Sequence, residues 1–229
     1  MSDARPRGDA SPAAGVAIFD LDGTITQRDT FAAFLLRYLR RHPRHWPRCL
    51  SLVPLVPLFL CGVIGNTRMK VAALRAVCGG AERAEMTAFS EDFADHCMAT
   101  LLRAQAPARI AAHRQTGDLL VLATASPDVY VEHLACRLGF DRVVATAVGW
   151  TPEGRMTGGL AGDNLRGAAK LAAVQQLLSA VTPARTVAYS DSDADLPLLR
   201  WADRGVAVNP TRRLAEVAAA EGFAIEDWG

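Results

Sequence analysis

Short apolar runs that end in polar turns recur along this chain, with helical spacing in the stretches between most of them. The first run, Val16-Ala17-Ile18-Phe19, ends in Asp20-Leu21-Asp22-Gly23-Thr24. That is the pattern of a buried strand delivering carboxylates at its C-terminal end. Further runs are Leu119–Ala123 before Thr124, Val143–Val148, Thr186–Tyr189 before Ser190-Asp191, and Gly205–Val208 before Asn209-Pro210. Helical stretches at Tyr130–Leu138 and Gly167–Leu178 fall between them. Strands alternating with helices predict an α/β fold, a doubly wound parallel sheet covered on both faces.

One interruption breaks the alternation. From Thr30 to about Arg114 the chain keeps helical spacing with little strand character, and a connection that long needs a core of its own. Phe31–Arg41 and Ala81–Leu102 read as amphipathic helices, while Cys49–Gly65 (CLSLVPLVPLFLCGVIG) is a seventeen-residue run without a charge. The expected division is a flexible tail at 1–13, a catalytic core from 14–30 and 110–229, and an inserted helical cap at 31–109 carrying the apolar segment 49–65. The opening residues MSDARPRGDASPAAG hold scattered charges and no apolar stretch, so they read as a tail and not as a signal peptide.

Lys+Arg 25 against Asp+Glu 24, with 50% hydrophobic residues, sets aside a disordered chain and a basic nucleic-acid binder. The balance hides a segregation. Residues 1–75 hold eleven Lys/Arg and five Asp, net +6, and the remainder holds fourteen against nineteen, net −5. The five cysteines form no C-x-x-C pair and predict reduced thiols in a cytoplasmic protein. The five histidines show no metal-binding spacing, and neither nucleotide-binding glycine loop is present. Nothing in the pattern fixes an oligomeric state.

Open α/β sheets bind ligands at the carboxyl ends of their strands. Four polar clusters are expected there or on the adjoining helix: Asp20/Asp22/Thr24, Thr124/Ser126, Lys170 and Asp191/Asp195. Several carboxylates, a hydroxyl at a turn and one ammonium group suit a phosphomonoester held with Mg²⁺. The metal takes hard oxygen ligands, while lysine and the backbone N–H groups after Thr124, that of Ala125 first, offset the phosphate charge. A turn at Gly23 can swing both D-x-D carboxylates toward one ligand. One can then attack phosphorus while the other handles a proton.

FDLDGT (Phe19–Thr24), TAS (Thr124–Ser126), Lys170 and YSDSDADLPLL (Tyr189–Leu199) resemble the four ordered motifs of the haloacid dehalogenase-like (HAD) phosphohydrolase superfamily. The insert after the first motif, and the ending AVNP…L…A…G (Ala207–Gly222), are similar to its phosphoserine-phosphatase-like branch. The resemblance implies a Mg²⁺-dependent phosphomonoesterase working through an aspartyl-phosphate. Asp20 would be the nucleophile and Asp22 the acid/base, Thr124 and Ala125 would bind phosphate, and Lys170 would steady the charged intermediate. Asp191 would hold Mg²⁺ with Asp20 and the Asp22 backbone carbonyl, and Asp195 would support the metal. The sequence departs from the branch's G-D-G-x-N-D pattern with Ser190-Asp191-Ser192-Asp193-Ala194-Asp195. It also has Asp29 near where a phosphoserine phosphatase carries a glutamate.

FDLDGTITQRDTFAAFLLRYLRRHP and the proline-interrupted run after it resemble the phosphatidylglycerophosphatase C family, membrane-associated enzymes that dephosphorylate a lipid head group. This implies a lipid phosphate as substrate, with a soluble phosphomonoester such as phosphoserine as the alternative. Cys49–Gly65 is shorter than the ~20 residues of a spanning helix and contains Pro54 and Pro57. Its flanks are basic on both sides: Arg37, Arg40, Arg41, Arg44 and Arg48 before, Arg68, Lys70 and Arg75 after. Two readings remain, an interfacial segment on an anionic membrane at the cytoplasmic face, or buried cap core. A phospho-receiver signalling module also uses acids, a hydroxyl and a lysine on such a sheet, but needs no ninety-residue insert after its first strand.

Overall fold

The computed structural model describes residues 15–229; the expected tail at 1–13 lies outside the described residues. The order is β1 (Val16–Phe19), α1 (Thr30–Arg41), a 3₁₀ stretch at Pro43–Leu52, α2 (Leu55–Leu60), α3 (Asn66–Cys78), α4 (Arg83–Thr100), α5 (Ala106–Gln115), β2 (Leu119–Pro127), α6 (Asp128–Leu138), β3 (Arg142–Thr146), β4 (Val148–Trp150), β5 (Met156–Leu160), α7 (Ala168–Leu177), β6 (Thr186–Ser190), α8 (Leu196–Trp201), β7 (Arg204–Val208), α9 (Arg212–Glu221) and β8 (Ala224–Glu226).

Six strands form one parallel sheet in the order β3-β2-β1-β6-β7-β8. Each central strand is buried on both sides, so its residues alternate between two cores. Ala17, Phe19, Leu120, Leu122, Val187 and Tyr189 enter one core with α4, α5 and α6. Val16, Ile18, Val121, Ala123 and Ala188 enter the other with α7, α8 and α9. The chain leaves β1 toward β2 and β3 and returns to β6 on the opposite side. The switch point, where such sheets hold ligands, therefore falls at the C-terminal ends of β1 and β6.

The long connection after β1 folds as helices packed over that end. α1 starts at Thr30 because the Asp29 carboxylate accepts the Ala32 N–H at 2.8 Å, satisfying a donor that the first turn leaves free. Its Phe34 packs against Phe89 and Phe93 of α4 and stacks on Tyr130 of α6 at 4.7 Å, so one aromatic cluster joins the insert to the core. α5 runs across the expected 109/110 division. Ala106 and Ile110 are both buried in the core that also holds β1 and β2 side chains, so the helix packs as one piece against the sheet.

Two departures lie beyond the helices. The run Val143–Val148 is not one strand: β3 ends at Thr146, and Val148 turns away to open an antiparallel hairpin with β5. The Val148 N–H is taken by Asp128 Oδ1 at 3.2 Å instead of by the sheet. β5 then lies against α3, where a Cβ on Gly158 would overlap the Arg75 backbone. β8 is a three-residue edge strand whose register is fixed by Val206, Ala207 and Val208.

Cys49–Gly65 is not cap core. Leu50 is 70% exposed, Val53 63%, Leu60 77% and Val63 70%, and Ile64 is the one buried residue of the run. No described helix is long and apolar enough to cross a membrane.

Candidate active site

β1 hands its chain to the site through a turn that favours glycine. Gly23 has φ +80°, and a Cβ there would overlap the Asp191 carboxylate. Arg103 pins the turn by donating from Nε to the Gly23 carbonyl oxygen at 2.9 Å. With the turn closed, Asp20, Asp22, Thr124, Ala125, Lys170, Asp191 and Asp195 all border one cleft of about 600 Å³. The insert supplies the facing wall, with Phe31, Leu35, Phe59, Met69 and Lys70.

Lys170 reaches from the first turn of α7 and donates to Asp20 Oδ1 at 2.8 Å and to Asp195 Oδ2 at 2.6 Å. All three are buried. Burial disfavours the ammonium, but Asp20 and Asp195 outweigh it and hold the lysine above its ordinary pKa. Burial pushes Asp20 up to about 8, with Asp195 and Asp22 adding to it against the pull of Lys170. Asp191, on the far side of the turn, is pushed up to about 6 by burial. Anionic charge is thus crowded here beyond what one lysine offsets.

Asp22 is set apart from Asp20. Its Oδ1 accepts the Thr30 N–H and hydroxyl, both at 2.6 Å, and its Oδ2 accepts the Ser126 hydroxyl at 2.6 Å. Burial, then the nearby Asp29, raises its pKa, while the N-terminus of α1 and three donors favour the charged form. A carboxyl group balanced in this way can both give and take a proton. The Ser126 N–H in turn donates to Thr124 Oγ1 at 3.0 Å, and among the described residues the Thr124 hydroxyl proton has no acceptor.

The serines of the fourth motif have structural work where the branch pattern has glycines. Ser190 Oγ donates to Asp195 Oδ2 at 2.9 Å, and Ser192 Oγ accepts the Ala194 N–H at 3.3 Å. Asp203 accepts the Thr186 N–H and hydroxyl and so ties the start of β6 to the turn before β7. Asp29 lines the cleft, but its Oδ1 is committed to α1. Lys70 borders the site as well. In the sequence Lys70 stands only among the basic residues flanking the apolar run, since no spacing ties it to the four motifs.

Hard oxygen donors dominate the cleft, which fits Mg²⁺. Among the described residues the buried Asp195 Oδ1 atom has no hydrogen-bond partner, and Thr24 Oγ1 steadies Asp191 Oδ1 at 3.4 Å. Among the described residues no three His, Cys, Asp or Glu side chains already form a cluster for a metal. Asp22 spends its carboxylate on Thr30 and Ser126.

The sheet order, the acidic switch point and the inserted helices define a hydrolase of the HAD type. The family pattern for haloacid dehalogenase-like hydrolase matches residues 17–200, and the chain belongs to that family. Its cleft is that of a phosphoric monoester hydrolase. Protein CicA of Caulobacter vibrioides (strain NA1000 / CB15N) is 34% identical over 187 residues, 81% of this chain and 82% of that protein. Phosphoserine phosphatase SerB1 of Mycobacterium tuberculosis (strain ATCC 25618 / H37Rv) is 29% identical over 232 residues, 99% of this chain and 74% of SerB1. Among solved structures, a protein of unknown function from Bordetella pertussis Tohama I shares 26% identity with a TM-score of 0.80, covering 93% of this chain and 98% of its own.

Proposed function

We propose that the chain is a Mg²⁺-dependent phosphomonoesterase that acts through an aspartyl-phosphate and prefers a lipid phosphate. The observation that carries the chemistry is the Asp20–Lys170–Asp195 chain of short contacts beside a separately held Asp22. Asp20 attacks phosphorus, forming a carboxyl–phosphate bond as the bond to the ester oxygen breaks. Asp22 gives its proton to that departing oxygen. Asp22 then takes a proton from water, whose oxygen displaces Asp20 and releases inorganic phosphate. Thr124 and the Ala125 N–H hold phosphate oxygens, and Lys170 keeps Asp20 aligned while it gains and loses the phosphoryl group.

Asp20, Asp191 and the Asp22 carbonyl would hold Mg²⁺, with Asp195 supporting them through Lys170 and Ser190. Bound there, the metal would offset the crowded negative charge and polarise the phosphoryl oxygens. We assign residues 31–109 the part of a cap that excludes water from the acyl-phosphate.

The lipid preference rests on the exposed apolar segment. Leu50, Val53, Leu60 and Val63 face solvent, and Phe59 of the same segment lines the cleft, so one segment brings apolar side chains both to the surface and to the cleft. Arg40 and Arg44 beside it make no ion pair among the described residues, whereas Arg41 lies 3.7 Å from Asp92. Each such cation adds about 1 kcal/mol of attraction to an anionic membrane. Arg48 is committed elsewhere, donating to the Gly79 and Arg75 carbonyls. The place proposed for the protein is peripheral, on the cytoplasmic face of an anionic membrane. The second reading, a soluble substrate such as phosphoserine, is favoured by the name of the M. tuberculosis relative and opposed by the commitment of Asp29 to α1.

The test is phosphate release from a lipid phosphate in anionic vesicles and from phosphoserine, each with and without a chelator. Preference for the lipid, lost on chelation, is expected. Efficient phosphoserine turnover by a protein that ignores vesicles would hand the assignment to the soluble substrate, and undiminished turnover after chelation would remove the metal.

A further inference from the structure

Lys70 sits on α3 in the insert, yet its ammonium is spent on the core. It donates to the Ala125 carbonyl oxygen at 2.5 Å and to Asn164 Oδ1 at 2.6 Å. The residue is 8% exposed, and no carboxylate comes within ion-pair distance of it among the described residues. The Phe31 ring lies 5.8 Å below the ammonium. Taking a cation out of water for two neutral acceptors is costly, so this arrangement is not a by-product of apolar packing.

Both acceptors stand at informative places. Asn164 is clasped by the start of α3, since its Nδ2 also donates to Thr67 Oγ1 at 3.1 Å. Ala125 is the middle residue of Thr124–Ser126, which lies not in a turn after β2 but in its irregular last stretch, where pairing with β3 slips between Ala123 and Pro127. The peptide whose carbonyl Lys70 holds is the one whose N–H, on Ser126, donates to Thr124 Oγ1. Ser126 Oγ continues the chain to Asp22 Oδ2. One ammonium on the insert thereby fixes a peptide plane on which the phosphate-binding hydroxyl and the acid/base carboxylate both depend.

We propose that Lys70 is a positioning residue that latches the cap to the phosphate-binding end of β2, so that Thr124, Ser126 and Asp22 reach their working geometry only when the cap lies over the cleft. The latch couples cap closure to assembly of the site, and this rests on the phosphatase reading above. A cap that has swung away withdraws the ammonium, frees the Ala125 carbonyl and loosens the end of β2.

Losing the proton would release the latch in the same way. Burial pulls the Lys70 ammonium down to about 8, Asp22 and Asp29 oppose that, and Arg166 and Lys170 reinforce it. An alkaline loss of activity near that pH is therefore expected.

The experiment compares wild type, Lys70→Met, Lys70→Arg and Asn164→Asp by calorimetric binding of inorganic phosphate with Mg²⁺ and by kcat/KM from pH 6 to 10. Lys70→Met should weaken inorganic phosphate about tenfold, as expected for loss of one charge-assisted contact, and should have no alkaline limb of its own. Lys70→Arg should bind phosphate within about threefold of wild type and carry its limb to higher pH, because guanidinium keeps its proton. Asn164→Asp should also raise the limb, by placing a carboxylate on the ammonium. Phosphate affinity in Lys70→Met equal to wild type, or a limb that none of the variants moves, would overturn the latch. Should Lys70→Met not fold, the limb in the other two variants decides. If wild type binds phosphate but hydrolyses no phosphomonoester, the function assignment fails, and the binding comparison still decides the latch.

Discussion

Replacing Gly23 by alanine separates the strain of the β1 turn from its chemical purpose. At φ +80° an L-residue pays about 1–2 kcal/mol for the left-handed conformation. In a chain of 229 residues that lowers Tm by about 2–8 °C. The second effect is positional. The new Cβ would overlap Asp191 Oδ2 and Cγ and sit 3.0 Å from Oδ1, so carboxylate or turn must yield by on the order of 1 Å, and a misplacement of that size at a reacting centre costs about a hundredfold in rate. Thermal melts with and without Mg²⁺ and phosphate release from a generic aryl phosphate read the two effects separately. Gly23→Ala should melt a few degrees lower, respond less to Mg²⁺ and turn over about a hundredfold more slowly. The double variant Gly23→Ala/Asp191→Gly should recover part of the Tm and none of the activity. Wild-type turnover by Gly23→Ala would show that the Gly23–Asp191 contact does not set the geometry of the site.

Three other outcomes follow from named contacts. Lys170→Met removes the ammonium that joins Asp20 to Asp195, and taking one partner out of a buried ion pair costs about 3–5 kcal/mol, so denaturant melts should show a deficit of that order; a wild-type midpoint would contradict the pairing. Asp191 is raised to about 6 by burial, so the folded state holds a proton that the unfolded chain releases. That stabilising contribution is present at pH 4 and lost by pH 6 and above. Asp191→Asn, in chelator at pH 7, should therefore melt higher than wild type while losing activity, and an equal or lower Tm would contradict the burial argument. Changing Arg40, Arg41 and Arg44 to Gln, with Arg48 left to hold the cap, should abolish flotation with anionic vesicles and lipid-phosphate turnover while sparing aryl phosphate hydrolysis; flotation unchanged by this variant and by rising salt would refute electrostatic docking.

How far the sequence reveals this molecule depends on the range of each interaction. β1 and its acidic turn were legible because an apolar run ending in D-x-D-G-T is a local signal, and Val16–Phe19 is the strand observed. The end of β3 was not, because Asp128, a residue of another element, takes the Val148 N–H. The hairpin of β4 and β5 hides in a glycine-rich stretch too short for a period of two to show. D-x-D spacing brings two carboxylates to one cleft but does not reveal that Asp22 turns its side chain to Thr30 and Ser126. Lys70 and Asn164 are 94 positions apart and share no motif, so only the folded chain joins them. The apolar run was visible at once, whereas its exposure depends on the insert having no second layer to cover it.

Covalent trapping of the phosphoryl group tests the proposed chemistry most directly. A phosphomonoester labelled with ³²P is mixed with wild type and with Asp20→Asn, both checked for native circular dichroism, and quenched in acid within the first turnovers. Wild type should retain label on the peptide containing Asp20, released by hydroxylamine as an acyl phosphate is, and Asp20→Asn should retain none and release no phosphate. Label on another residue, or steady turnover by Asp20→Asn, would contradict the assignment of Asp20 as the nucleophile.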